Sequence, residues 1–381
     1  QFGGGLTMSL ASLIGVAASG ASSGVITAGR ARTLVSGPAM SSWLYCAPLS
    51  ASNPHIIGWM EVRLYVGGAV HVLPWVENGW VRVTGPASVV GDLTFTLGGT
   101  TRFTQASVHL CHHGRVVAQD VAGVGYWLGT APDLYAAPDP EYIQSTGLVP
   151  TYFADTSGAT TRLNALSQSY SPANYGQLLA SPRDGGGNGT NNGDFDAGMA
   201  NAGYHAGIGP LPEWDAFYMT SGADVRAWKA VVANAMGYGR YAVHQRDELT
   251  LAPVNPADVP LKTLGTGFNI ADRGANQFGS TETLPNATAY DPSGVNLQPE
   301  YWAQTHHPSG GFMAYLLTGQ EFFLELSQFV AGTCFLRQNN IHRDYGNGYQ
   351  RGYYETTRGA AWALRSIFQA ATISVDGSAL Q

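Results

Sequence analysis

Lysine is almost missing from this chain. Only Lys229 and Lys262 occur, so the rest of its 19 basic residues are arginine. Charged residues make up 12% of the chain and the net charge is −7. No basic run is present, which excludes the clustered Lys/Arg footprint that nucleic acid requires. Cysteine is scarce as well: Cys46, Cys111 and Cys334 stand far apart, with no CxxC pair, so zinc and redox motifs are unsupported. A disulfide between two of them is not readable from spacing. The run Leu6 to Ile26 is apolar but broken by Gly and Ser and has no basic residues before it. It is a poor signal peptide and too interrupted for a membrane span. Gln1 stands where an initiator Met would, and the chain reads as a fragment or processed product of something longer. There is no GxGxxG after a strand, no P-loop, no GxSxG and no HExxH, and no cofactor is expected.

Glycine (49), proline (20), tyrosine (19) and tryptophan (9) are abundant. A 44% apolar content points to a packed protein, and 381 residues are enough for two cores. Residues 1–35 read as a Gly/Ala/Ser-rich segment available to pack on a partner. Residues 36–130 read as β-rich and residues 131–381 as helical with long loops. Trp59 to Val66 alternates, Gly67-Gly68 makes a turn, and Ala69 to Val76 returns as the second strand of a hairpin. Further strands are expected at 80–83, 92–97 and 107–110. Several short strands at this spacing argue for an antiparallel sandwich.

The second part repeats a unit. Leu211 to Met219, a Thr-Ser-Gly corner and Ala223 to Met236 form one helical pair. Gly311 to Leu317, a Thr-Gly corner and Gln320 to Leu336 form another. In each longer helix apolar residues recur at helical spacing, and Gly supplies the left-handed position at which one helix ends. Thr356 to Ala371 adds a further helix. Such hairpins pack side by side, and the expected product is an (α/α) toroid, closed or incomplete.

Loops at corresponding places in a toroid converge on one mouth, and these loops carry His, Arg and Tyr. That mix suits β-elimination from a uronate: Arg offsets the carboxylate and enolate charge, and His or Tyr moves the protons. The candidate catalytic set is His244, Arg246, His306, His307, Tyr353 and Arg358. The candidate substrate-binding set is His113, Arg115, Tyr204, His205, Trp302, Arg351 and Tyr354. Each serves equally well as a hydrogen-bonded core or interface residue. Hydrolysis needs two flanking carboxyl groups, and Glu213, Asp215, Asp247 and Glu355 show no pair spacing. Glu213 and Asp215 read more simply as anions at a helix N-terminus. His306-His307 lacks a third metal ligand, and the loop Asp184 to Gly193 does not match calcium-loop spacing; no metal is expected.

The segment from Ser36-Gly-Pro to Glu77-Asn-Gly-Trp80, the His112-His113-Gly-Arg115 sequence, the Thr/Ser-Gly corners, His244-Gln-Arg246-Asp247 and Arg358 to Arg365 form an ordered series. Together they resemble proteins similar to the exo-acting rhamnogalacturonan lyases, relatives of which occur in phage and prophage structural regions. The resemblance implies a β-sandwich-like domain packed on an (α/α) toroid. It also implies an extracellular or virion location and a polysaccharide partner. Two functions are open: a lyase-like depolymerase acting on or binding acidic polysaccharide, or a non-catalytic structural or receptor-binding subunit of a phage tail or extracellular assembly.

Overall fold

A computed structural model describes residues 7–14, 22–25, 30–49, 54–80, 89–110, 113–119, 124–131, 136–154, 159–171, 177–178, 206–254, 304–336 and 357–376. The fold is mixed α+β, with antiparallel sheets in the N-terminal part and helices in the C-terminal part. One sheet runs β2 (Ser22–Val25), β1 (Thr7–Ile14), β7 (Val89–Leu97), β8 (Thr100–Leu110). The other runs β10 (Tyr126–Trp127), β6 (Val70–Glu77), β5 (Ile57–Tyr65), β4 (Met40–Pro48), β3 (Arg30–Ser36), and β9 (Arg115–Val117) also pairs with β6. Strands from the first 35 residues join both sheets: β1 pairs with β7, and β3 pairs with β4.

The β5–β6 hairpin forms as its alternation predicts, with Leu64 opposite Val70 and Trp59 opposite Trp75. Gly67 (φ 91°) and Gly68 (φ 88°) take the left-handed turn positions that only glycine adopts cheaply. Trp80 forms an isolated bridge with Arg246, and the rest of the strand expected at 80–83 lies outside the described residues.

The larger sheet has two buried faces, because side chains alternate along a strand. Met60, Val62, Val70, Val72 and Val76 join Leu93, Phe95, Phe103 and Val108 of the smaller sheet in one apolar core. The opposite row, Ile57, Trp59, Leu73, Trp75 and Val117, joins the helices in a second core. Trp59 and Trp75 stack there with centroids 6.2 Å apart. Burying each such ring contributes about 2–3 kcal/mol. The order of layers is sheet, sheet, helices.

Two short helices, α1 (Pro140–Ser145) and α2 (Ala159–Asn164), and a small hairpin of β11 (Tyr170–Ser171) and β12 (Gln177–Leu178) lead into the helical layer. Its main members are α3 (Glu213–Thr220), α4 (Val225–Gly237), α5 (Phe312–Thr318), α6 (Glu321–Leu336) and α7 (Thr357–Ile373). They match the expected helices to within about two residues. Apart from half-buried Lys229, α4 is buried from Ala227 to Gly237, as befits a helix apolar on nearly all sides. Gly319 ends α5 in the left-handed conformation. The corner after α3 instead uses Gly222 (φ 70°) and Ala223 (φ 63°), one step past the Ser221 cap. The expected toroid is not seen among the described residues. They contain two helical hairpins and α7, and that set does not close a ring.

Candidate functional site

The helix-facing row of the larger sheet is where the chemistry predicted from sequence falls, and it is sealed. β6 ends at Glu77, directly opposite Arg115 of β9. After a short 3₁₀ turn at Tyr238–Arg240, the chain runs back along this edge. His244 N–H donates to His113 O (3.0 Å) and Arg246 N–H to Gly79 O (2.8 Å). Gly79 is required here, since a Cβ would sit 2.9 Å from the His244 carbonyl and 2.5 Å from Glu77 Oε1. Asp247 Oδ1 then accepts from Leu249 and Thr250 N–H (2.9 and 2.8 Å), closing a turn that presents the Leu251 carbonyl to Arg246 Nη1 at 2.7 Å.

Arg246 is fully buried and doubly paired. It donates to both oxygens of Glu77, from Nη2 at 2.9 Å and also from Nε, and to Glu325 Oε2 of α6 at 2.6 Å. Arg115, also fully buried, lies 3.4 Å from Glu77 and 3.2 Å from Glu325. Aromatic faces complete the enclosure: Arg115 sits 4.2 Å from the Phe322 centroid and Arg246 4.3 Å from that of Trp59. At the rim, Arg32 bridges Glu321 (2.7 Å) and Glu325. On β5, Arg63 Nε pairs with Glu61 (2.7 Å) and its Nη1 donates to Thr318 O (2.8 Å), while Glu61 Oε2 accepts from Glu321 N–H (2.7 Å). Four arginines (32, 63, 115, 246) thus face four glutamates (61, 77, 321, 325).

The pairing decides the ionisation states. Burial opposes charge on Glu325, but Arg246, Arg32 and Arg115 outweigh it and hold the carboxyl at about 2. Burial likewise works against Arg246, and Glu325 with Glu77 reverses it, so its pKa stands above the ordinary value. Arg115 keeps a net deficit from burial and falls to about 10. Two other carboxyls go the opposite way: burial pushes Glu321 up to about 7 in spite of Arg32, and it raises Glu61 in spite of Arg63. The His244 imidazole alongside stays uncharged. His244 Nδ1 donates to His113 O (2.8 Å), and burial, helped by Arg115, drives its pKa well below the usual value.

The structure therefore brings His113, Arg115, His244 and Arg246 together, as the sequence suggested, but in the interior. All four are 0% exposed. The expectation that they share an open mouth is corrected: their edge of the sheet is zipped against residues 244–246 and roofed by α6. His307 is buried apart from them, its ring 4.7 Å from Tyr241 and its carbonyl accepting from Arg365 Nη2 at 2.8 Å. His306 and Arg358 are half-buried. Tyr204, His205, Trp302, Arg351, Tyr353 and Tyr354 lie outside the described residues. Asp215, read as a helix N-terminal anion, is buried, and desolvation raises its pKa well above the carboxylate range although Arg365 opposes this. Among the described residues no His/Cys/Asp/Glu group has the makings of a metal site.

The open site lies farther along the same sheet–helix seam, and sequence reasoning did not find it. It is a cleft of about 860 Å³ between β6 and β10 on one side and α4 and α5 on the other, within the range of small-molecule sites. Trp127, Tyr65, Leu128 and Val124 form the sheet wall; Trp228, Val225 and Leu317 form the helix wall. Tyr65 and His71 pack on Trp127 at 5.4 and 4.9 Å between centroids. Gly125 is forced, because a Cβ would lie 2.4 Å from Val72 O. His71 binds Val124 O through Nε2, and burial lowers its pKa to about 4. Among the described lining residues Lys229 is the only formally charged one. The signal that could have found the site is the rarity of lysine together with the aromatic pair Tyr126-Trp127 after a glycine.

Comparison of the chain with protein-family models, curated proteins and solved structures finds no match. No helix among the described residues is long and apolar enough to cross a membrane.

Proposed function

We propose that the protein is a non-catalytic, carbohydrate-directed subunit of an extracellular or virion assembly rather than a working polysaccharide lyase. The observation that carries this reading is the burial of His113, Arg115, His244 and Arg246. A lyase needs an arginine against the substrate carboxylate and a proton-transferring His or Tyr within hydrogen-bond reach of C5. Here both buried arginines are paired with Glu77 and Glu325, and His244 is spent on a backbone carbonyl. Within this reading the two packed sheets are the sandwich-like part and the hairpins are an incomplete (α/α) toroid. Polysaccharide contact then falls to surface groups, and the lock serves to fix the sheet layer to the helix layer.

The test is incubation with acidic polysaccharides, following both the absorbance of unsaturated uronates and retardation of the protein in polysaccharide-containing gels. The expected result is retardation with no unsaturated product. Sustained product formation by the purified chain overturns the non-catalytic reading. Absence of both signals removes carbohydrate from it.

A further inference from the structure

The cleft between the larger sheet and α4–α5 differs in chemistry from a sugar site. A sugar demands polar groups spread around its ring, whereas the polar side chains here are mostly occupied. The Thr318 hydroxyl donates to Ala314 O (2.7 Å) and accepts from Gln320 N–H (3.2 Å). His71 Nε2 is taken by Val124 O. Besides the Tyr65 and Thr130 hydroxyls and the indole N–H groups, the lining carries Lys229 and Gln320. Among the described residues, Lys229 lines the cleft, makes no ion pair and shares the lining with no carboxylate. Gln320 is 3% exposed, and its amide oxygen has no hydrogen-bond partner there. A buried acceptor left unmade costs about 1–3 kcal/mol, so a ligand that donates to it gains that much. The remaining walls are apolar.

We propose that this cleft binds a small amphipathic acid. Its single carboxylate pairs with Lys229, an adjacent N–H or O–H donates to Gln320, and its apolar body lies between Trp127 and Leu128 on the sheet side and Trp228 and Leu317 on the helix side. In a chain of net charge −7 with two lysines, one of them set in an aromatic cleft whose described lining holds no carboxylate is a local inversion of sign. That inversion favours an anion over a cation. The inference is independent of carbohydrate recognition elsewhere on the molecule.

Isothermal titration with N-decanoylglycine, its methyl ester and trigalacturonate tests it, using the whole chain. The acid is expected to bind at least about tenfold more tightly than the ester, equivalent to about 1.4 kcal/mol, and trigalacturonate not to displace it. Lys229→Met is expected to bring the acid down to the ester's affinity and leave the ester unchanged. Ala131→Trp, which fills the cleft, is expected to abolish binding of both, with melting temperature as the check on folding. Equal affinity for acid and ester, no binding of either, or displacement by trigalacturonate each overturns the proposal; the last leaves the carbohydrate reading standing.

Discussion

The seam between the larger sheet and the helices is built in two opposite ways along its length. Toward β9 and α6 it is filled by four arginines facing four glutamates; toward β10 and α4 it is left open, lined among the described residues by rings and aliphatic groups, with one cation. The residues that look reactive in sequence occupy the filled stretch, and the accessible space occupies the stretch that looks bland. Charge-bearing side chains buried at a layer boundary are therefore better read as a specificity device for docking two layers than as chemistry. A buried ion network has little net stability to offer, but it is costly to break, and it excludes misaligned docking.

That contrast can be broken most severely at Glu325. Its carboxylate receives Arg246, Arg115 and Arg32. Glu325→Ala leaves two fully buried guanidinium groups short of a counter-charge, and a loss of about 3–5 kcal/mol is expected in urea unfolding. Replacing Trp127 or Lys229 in the cleft should cost far less. If Glu325→Ala is nearly neutral, the filled stretch is not a lock.

A steric version tests the same boundary without touching charge. Gly239 lies where a Cβ would approach the Arg115 carbonyl at 2.1 Å. Gly239→Ala is expected to destabilise by about 1–3 kcal/mol, because backbone cannot yield as a side-chain tip can. Gly67→Ala in the exposed β5–β6 turn makes the control: its site is open, so only the cost of its positive φ, of order 1 kcal/mol, is expected.

Much of the fold was legible because the β5–β6 alternation and the helical spacing are local signals. Trp59, Trp75, Met60 and Val62 announce two buried faces, and α3 to α7 begin and end where glycines and polar corners predict. The site was less legible because burial is not local. Nothing near His244 or Arg246 in sequence reveals that Glu77, about 170 positions away, and Glu325 will neutralise Arg246. The single sequence clue was the pairing of strand-end Glu77 and Arg115 with the only His-x-Arg segment in the helical part. The cleft was hidden for the converse reason: Trp228 reads as one more apolar residue on a helix, and only the packing of β10 against β6 brings Trp127 to face that layer.

The rim of the lock should separate from its centre by pH. Glu321, held up at about 7, keeps its proton in the folded state over a range, from about 4.5 to about 7, where the unfolded chain has released it. Its contribution therefore falls as pH rises through that window. Glu325, held at about 2, contributes above the unfolded carboxyl value and loses that contribution as pH drops from about 4.5 toward 2. The neutral imidazoles of His55 and His71, lowered by burial to about 4, act opposite to Glu321, favouring the fold as pH rises from about 4 to 6.5. The total curve mixes these, so the variant difference is the informative quantity. Glu321→Gln should gain stability relative to the parent protein between pH 5 and pH 8. A constant difference across that range would mean that Glu321 is ionised throughout.

The smallest effect expected is the one that distinguishes a ligand site from a structural one. Lys229 is half-buried on α4, makes no ion pair among the described residues, and lines a cleft that none of them fills. Its substitution by Met keeps the aliphatic stem that packs along the helix and removes only the ammonium group. Stability should change by less than about 0.5 kcal/mol in either direction. Arg246 makes the opposite case, a cation whose every donor is engaged in holding two layers together. If Lys229→Met proved as damaging as a change in the lock, the ammonium would be holding the fold together, and the cleft would be a second docking contact rather than a place kept free.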